Sequence, residues 1–457
     1  MIRRSLKEIQ NMVNGSGLQA GFENLIIEGV VIDSRSVQAG NLYIPIIGAR
    51  FDGHEFVKDA ISLNGAVAAL WQAGIPNKPT DIPVIEVDDT KKALQELSIA
   101  YKNDLNMKVV GITGSNGKTS TKDILSSILA TTYKVHKTPG NFNSEFGMPL
   151  TLLMAQTDTE IAVLEMGMRG LGQIKLLSDM AKPDVSIITC IGEAHIEELG
   201  SRENISIAKF EITSGLDEDG VFVYHGDEPL LAARIAEANP NFKLVPFGDT
   251  VSNDYYPTSI KVDGNGMVFT IPQSEIVFNL SVLGKHNVMN AIASIAVARH
   301  FGVTFENIKR GLENVEMSKM RMEISNAKNK MMMIDDTYNS SPTSVRATLD
   351  LLYSLTGYEK KIVVLADMLE LGENTVNYHE EIGAYVNPDQ IDVLLTYGPL
   401  SAYTAKKSRV KITKHFDDKI ELAKVLESLS GASDVCLIKG SRGMALEDVI
   451  NELRASQ

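Results

Sequence analysis

Two cysteines in 457 residues leave too little sulfur for a disulfide framework or a cysteine-rich zinc site. Cys190 and Cys436 lie far apart, each in an apolar strand-like run, which suits buried thiols in a reducing cytoplasm. Long apolar runs are missing as well. No stretch approaches the length of a membrane span, and "MIRRSLKEIQNMVNG" lacks the apolar core of a secretory signal. A cytoplasmic location without membrane insertion is therefore expected. Positive charge is in deficit: 44 Lys and Arg against 58 Asp and Glu give a formal net charge of −14. That balance opposes a nucleic-acid partner, which needs basic patches. It leaves room for an anionic small substrate where cations are gathered locally. Repeats and low-complexity segments are absent too, and the length is too great for one core, so two or three domains are expected.

What is present is a chain of apolar strands alternating with helical stretches. Up to about residue 85 the strand-like runs are short and separated by Gly-rich turns such as "GNLYIPIIGARFDGHEF". "DIPVIEVDD" (81–89) reads as a strand, and an amphipathic helix is predicted from Thr90 to about Tyr101. "MKVVGIT", "IAVLEMG" (161–167) and "VSIITCIG" (185–192) are near-continuous apolar runs, as in parallel strands buried on both faces. A helix is predicted from near Asn287 to about His300. From about residue 319 a further series, "KMMMIDDTY", "KIVVLADM", "DVLLTYG" and "DVCLIKGS", predicts four strands of a dinucleotide-fold-like unit. Its first helix should begin at Ser341-Pro342, a cap followed by a first-turn proline.

The segment "GITGSNGKTSTKD" (111–123) carries the most chemistry. A strand precedes it, and Ile124, Leu125, Ile128 and Leu129 after it fall on one helical face. It does not fit the common phosphate-loop spacing, because Ile112 stands where the first glycine should be. The context is nevertheless that of a phosphate loop. Amides at the helix N-terminus would face phosphate oxygens, Lys118 would add a point charge, and Thr119 would offer a hydroxyl to Mg²⁺.

Other candidates lie at strand ends. Glu165 closes "IAVLE" and is a natural second oxygen ligand for Mg²⁺ beside Thr119. His195 follows another strand, where it either serves a site or caps a turn. Lys209 and Glu211 read from composition alone as the solvated face of a helix. "IDDTYNSSP" offers Asp335, Asp336, Tyr338 and Asn339, for nucleotide contact, interdomain positioning or helix capping. Lys439 and Arg442 in "KGSRG" suit a carboxylate or phosphate, or are exposed bases in a turn.

These segments, with "TPGNFNSEFGMPLTLL", "LEMGMRG", "IGEAHIEELGSRENISIAK", "LGKHNVMNA" and "DMLELG", occur in the order in which the Mur ligases carry them. The chain resembles that family along essentially its whole length, including "DSRSVQAGNLYIPIIGARFDGHEF" near the start. The family writes its loop as G-x-x-G-x-x-G-K-T/S, and Gly111, Gly114 and Gly117 fall on the three glycines. The resemblance implies an α/β protein of three domains. These are a small N-terminal UDP-sugar domain (1–88), a central P-loop-type ATPase domain with a mostly parallel sheet (89–318), and a C-terminal Rossmann-like dipeptide domain (319–457).

The resemblance further implies residue roles. Gly114, Ser115, Asn116, Gly117, Lys118, Thr119 and Ser120 would hold ATP, with Asn290, Arg321 and Asp336 near the nucleotide. Thr119, Glu165 and His195 would bind two Mg²⁺ ions, and Lys118, Glu165, His195 and Lys209 would serve catalysis, Lys209 as a carboxylated lysine. Asp33, Ser34 and Arg35 match the segment linked to the UDP-sugar, and Asn141, Asn143, Tyr338, Asn339, Lys439 and Arg442 are the remaining substrate candidates. Departures from the family pattern fall at Ser144, Ala366, Asp227 and "NSSP".

The implied reaction joins a carboxylate to an amine at the expense of ATP. The "DSR" and "IKGSRGM" blocks favour the branch that adds D-alanyl-D-alanine to UDP-N-acetylmuramoyl-tripeptide, through an acyl phosphate in a monomeric enzyme. The competing readings are a sister ligase adding the third peptide residue, a folylpolyglutamate synthase, and a nucleotide-gated binding protein without ligase activity.

Overall fold

In the computed structural model, which describes residues 1–454, three α/β units follow one another along the chain. In the first, strands Val30–Val31, Leu42–Tyr43, Ala68–Gln72 and Val84–Val87 pair in chain order, all parallel. Arg3–Ser5 and Ile26–Glu28 form a separate antiparallel pair. Asp89 accepts the Lys92 N–H and so starts the helix Thr90–Leu105, which ends at Asn106 in a left-handed conformation. Ala93, Leu94, Leu97 and Tyr101 recur at helical spacing and enter the first unit's core beside Leu70 and Ile85. Leu150 and Leu153 of the second unit complete that cluster.

The second unit is a six-stranded parallel sheet in the order Lys243–Phe247, Val221–His225, Val185–Ile188, Lys108–Thr113, Ile161–Glu165, Val135–Lys137. Its inner strands, such as Ile161–Glu165 and Val185–Ile188, are buried along their whole length because both faces are covered, whereas the edge strands Val135–Lys137 and Lys243–Phe247 are partly exposed. Val110 and Ile112 join the core under helices Lys118–Leu129 and Lys285–His300, whereas Val109 meets the core under Gln173–Ala181 and Arg202–Phe210. Register brings three strand ends level: Ile112 lies opposite Glu165, and Thr113 opposite Ile188. An antiparallel sheet of Ser259–Asp263, Gly266–Thr270 and Phe278–Leu280, which the strand-like runs did not announce, stacks Phe269 on Phe278 over the same core.

The third unit has six strands where four were expected. The order is Glu323–Asn326, Met332–Asp336, Val435–Lys439, Lys361–Ala366, Val393–Tyr397, Ile412–Phe416, parallel except for the first. The two unexpected strands are the edges. Both are half-exposed and polar, "EISN" and "ITKHF", so they lack the apolar run that marks the buried strands. Ser341 caps the helix Pro342–Ser354 in a reciprocal pair with Ser344, with Pro342 in its first turn.

Candidate active site

The loop between strand Lys108–Thr113 and helix Lys118–Leu129 is shaped by two glycines. Gly114 has φ 151°, and a Cβ there would lie 1.8 Å from Thr189 Oγ1. Gly117 caps the helix at φ 81°, where a Cβ would lie 2.7 Å from Asn290 Oδ1. Only glycine accepts both the backbone and the space. Half-buried Lys118 donates to the Gly114 carbonyl at 2.8 Å, so its ammonium is folded back over the loop. Burial lowers its pKa, the Glu165 carboxylate opposes that, and the Arg321 cation adds to it.

Glu165 is buried at the end of the neighbouring strand and is held on both oxygens. Thr119 Oγ1 donates to Oε2 at 2.8 Å, and Asn143 Nδ2 donates to Oε1 at 2.8 Å. A hydroxyl and a carboxylate in contact at a phosphate loop are the hard oxygen donors Mg²⁺ takes. Among the described residues no three His, Cys, Asp or Glu side chains cluster for a metal. The donor set therefore fits an ion that completes its shell with water and phosphate oxygens, as Mg²⁺ does. Asn143 thus lies on the carboxylate, whereas Asn141 is exposed and Ser144 accepts the Gly147 N–H at 3.3 Å.

The reading of Lys209 as a solvated side chain is overturned: it is 1% exposed, in the last turn of helix Arg202–Phe210. The amphipathic pattern was real, but this position faces the loop. Burial drives its pKa well down, and the Lys118 cation drives it further. Cys190 shares this neighbourhood. The residue is half-buried; its Sγ accepts the Asn116 N–H at 3.4 Å, and burial pushes the thiol pKa up. His195 sits at the N-cap of the short helix Ile196–Leu199 in left-handed backbone (φ 66°), without making a side-chain cap. Burial, then Lys118, Lys209 and Arg169, lowers its pKa to about 4, so the imidazole is neutral at pH 7. Its buried Nδ1 lies 3.0 Å from Glu370 Oε2, off the line of a good hydrogen bond.

Glu370 belongs to the third unit, which is docked on the second around the loop. Ser341 Oγ donates to Asn116 Oδ1 at 3.3 Å. Glu193 Oε2 accepts the Thr343 N–H at 3.2 Å and its hydroxyl at 2.6 Å, a carboxylate at a helix N-terminus. The connection is tied down as well: Ser318 donates through N (2.9 Å) and Oγ (2.7 Å) to buried Asp123 of the loop helix. Asp123 also receives Lys137 at 2.8 Å. Beyond Ser318 the backbone is left-handed at Met320 and Met322, and the Arg321 guanidinium between them lies 4.1 Å over the Tyr338 ring.

Asp336 and Lys439 face each other across paired strands and form a 2.5 Å ion pair, with Lys439 also donating to the Asn339 carbonyl at 3.0 Å. Lys439 is 2% exposed, so it is no solvated turn base. Arg442, by contrast, is exposed and paired with Glu447. Asp335 turns back to Thr337, and the helix cap falls to Ser341. Asp227 holds its own turn by accepting Asp249 N–H at 2.6 Å and Asn253 Nδ2 at 3.0 Å. Asp33 caps a single turn, Ser34–Ser36, and pairs with exposed Arg35 at 2.7 Å. Among the described residues no hydrogen bond joins this Asp33–Arg35 group to the loop.

Residues 26–102 match the Mur ligase family catalytic domain, 112–298 the Mur ligase middle domain, and 320–442 the Mur ligase glutamate ligase domain. The UDP-N-acetylmuramoyl-tripeptide–D-alanyl-D-alanine ligase of Bacillus subtilis (strain 168) is 44% identical over 457 residues, 99% of each chain. The chain belongs to the Mur ligase family. Among solved Mur ligases, MurF from Acinetobacter baumannii superposes with a TM-score of 0.90 at 29% identity over 99% of each chain. MurF from Thermotoga maritima in complex with ADP gives 0.83 at 30% identity, over 93% of this chain and 97% of that one. Some contacts of this Mur ligase site escaped the sequence reading: Asp123 with Ser318, Glu193 with Thr343, and Glu370 with His195. Each pairs residues more than a hundred positions apart, and no local spacing signals such a meeting.

Proposed function

We propose that the protein is an ATP-dependent ligase that adds D-alanyl-D-alanine to UDP-N-acetylmuramoyl-tripeptide in peptidoglycan precursor synthesis, in the cytoplasm. The observation that carries the proposal is the Thr119–Glu165 contact beside the Lys118 loop, in a chain that aligns end to end with a protein named for that reaction. The loop amides and the hydroxyls of Ser115 and Ser120 would cradle the phosphates, with Lys118 swinging from the Gly114 carbonyl onto them. Asn290, Arg321 and Asp336 would border the nucleotide. Asp33, Ser34 and Arg35 would hold the uridine end, leaving Asn141, Asn143, Tyr338, Asn339, Lys439 and Arg442 for the peptide and the incoming dipeptide. On this reading the work divides among units 1–88, 89–318 and 319–457.

The tripeptide carboxylate oxygen attacks the γ-phosphorus and ADP leaves; the D-alanyl-D-alanine amine then attacks the acyl carbon and phosphate leaves. Both steps bring anions or lone pairs together, so alignment and charge screening supply most of the catalysis. Mg²⁺ on Thr119 and Glu165, with His195 serving a second ion, would screen the phosphates and the attacking carboxylate. Lys209 is suited to a further role: its neutral amine can add CO₂ and become an anion beside Lys118. The docked third unit would keep water from the acyl phosphate.

An acceptor panel with UDP-N-acetylmuramoyl-tripeptide and ATP, read by product mass, tests the reading. D-alanyl-D-alanine should give the amide product, and Lys118→Ala should lower its turnover by about 10²–10³-fold or more. Product with another acceptor alone, or wild-type turnover in Lys118→Ala, would remove the assignment.

A further inference from the structure

His195 and its surroundings hold one contact that the ligase reading leaves unused. The loop Met368–Gly372 of the third unit lies against the helix Ile196–Leu199 of the second. The Glu197 N–H donates to the Glu370 carbonyl at 3.3 Å, and a Cβ on Gly372 would lie 3.2 Å from Glu197 Cα. At this crossing both His195 (φ 66°) and Glu370 (φ 61°) are held in left-handed backbone, which non-glycine residues adopt only under constraint. The two strained positions aim their side chains at each other, Nδ1 and Oε2 being 3.0 Å apart. Nδ1 is buried and has no other partner among the described residues. The Glu370 side chain is 52% exposed, so it has room to turn into line with the bond.

We infer that Glu370 is a positioning residue for His195, brought to it across the domain boundary only when the third unit is docked. A histidine that serves a metal through one ring nitrogen ordinarily donates its other N–H to a carboxylate or carbonyl, which fixes tautomer and ring orientation. Here the fixing carboxylate is on a different unit from the histidine. Glu370 holds the proton on Nδ1 and leaves Nε2 as the free lone pair. Undocking withdraws the carboxylate and frees the ring, so the metal-facing nitrogen is set only in the assembled arrangement. The inference rests on the ligase reading above, but concerns how the site is completed rather than what it makes.

The test compares the full-length wild type with Glu370→Ala, Glu370→Gln and His195→Ala, each checked for an unchanged unfolding midpoint. Two readouts are taken in the presence of a non-hydrolysable ATP analogue, ¹⁵N shifts of labelled histidine and Mn²⁺ binding by electron paramagnetic resonance; the third, the kcat and KM of amide formation, is taken with ATP itself. The His195→Ala spectrum identifies the His195 signals among the eight histidines. Wild type should show one fixed Nδ1–H tautomer, and Glu370→Ala an averaged ring. Glu370→Ala should lower Mn²⁺ affinity and kcat by about 10–100-fold with KM for ATP unchanged. Glu370→Gln, whose carbonyl oxygen still accepts, should recover most of both. Unchanged His195 signals in Glu370→Ala would overturn the inference. So would a loss of Mn²⁺ as complete as in His195→Ala, which would make Glu370 a ligand instead. Absence of amide product in the wild type would instead sink the ligase reading, and is read separately.

Discussion

A lysine with no carboxylate to balance it is an expensive thing to bury, and Lys209 is nearly inaccessible with the Lys118 cation close by. Its folded pKa lies well below its ordinary value, so at intermediate pH the unfolded chain binds more protons than the folded one. Stability should therefore rise with pH until the unfolded value of about 10.4 is passed. Lys209→Met removes the titrating group while keeping its length. We expect a higher unfolding midpoint at pH 7 than wild type, a smaller gain at pH 10, and loss of amide formation. Urea titrations at the two pH values check this, and a midpoint lowered equally at both would show that Lys209 is paired in solution. Periodicity alone misses this position, since "IAKFEI" has the amphipathic pattern of a surface helix; only the family resemblance singled Lys209 out, and the fold turns it inward.

At the scale of the element, the loop and its helix are rigid because several independent constraints agree. Gly114→Ala forces a Cβ against the Thr189 hydroxyl at a backbone angle that alanine avoids. Strain of this kind is about 1–3 kcal/mol. Taken from nucleotide binding, it weakens affinity about 5- to 150-fold, measurable by calorimetry with an ATP analogue. Two turns on, Asp123→Ala removes the acceptor for Ser318 and Lys137 and leaves buried Lys122 at 1% exposure without its neighbour. Breaking a buried pair from one side costs about 3–5 kcal/mol, so urea unfolding should move well to lower denaturant, and less for Asp123→Asn.

Much at this scale was legible. "IAVLE" and "VSII" announce buried parallel strands by having no polar face, and Ser341-Pro342 announces a helix start by its capping chemistry. The edge strands Glu323–Asn326 and Ile412–Phe416 did not announce themselves, because a strand covered on one side carries half the apolar signal. Thr119 and Glu165 were readable as a pair from the Gly-Lys-Thr loop together with a carboxylate closing an apolar strand, since parallel register brings the two strand ends level.

For the whole molecule, the third unit is docked through an apolar cluster shared with the second, which takes in Val345, Leu349, Met368 and Leu371, and through polar contacts around the loop. Hydrogen bonds to a charged group contribute about 1.5–3 kcal/mol, and Glu193 accepts two from Thr343. Even if the net loss is that of a single such bond, Glu193→Ala should shift the docked-to-open ratio by about ten- to 150-fold. In small-angle scattering with nucleotide bound, we expect a larger radius of gyration than wild type, with nucleotide affinity little changed. An identical scattering curve would mean that other contacts hold the arrangement. Interdomain partners of this kind, Asn116 with Ser341 and Glu193 with Thr343, are the part of the site that sequence reading reaches last. Each residue looks like an ordinary loop or cap until the units are placed together.

The scarcity of cysteine has a practical consequence. Cys436 lies inside the third unit's sheet, and burial pushes its thiol pKa far up, whereas Cys190 is half-buried with its sulfur against the Asn116 amide of the loop. The native chain thus carries one half-exposed cysteine, and it stands at the loop proposed to hold the phosphates. A small electrophile should label that position alone, slowly at neutral pH and faster as the solution becomes alkaline, because burial raises the Cys190 pKa too. Nucleotide in the pocket would slow the labelling, so alkylation kinetics become an occupancy meter for the loop that needs no engineered probe.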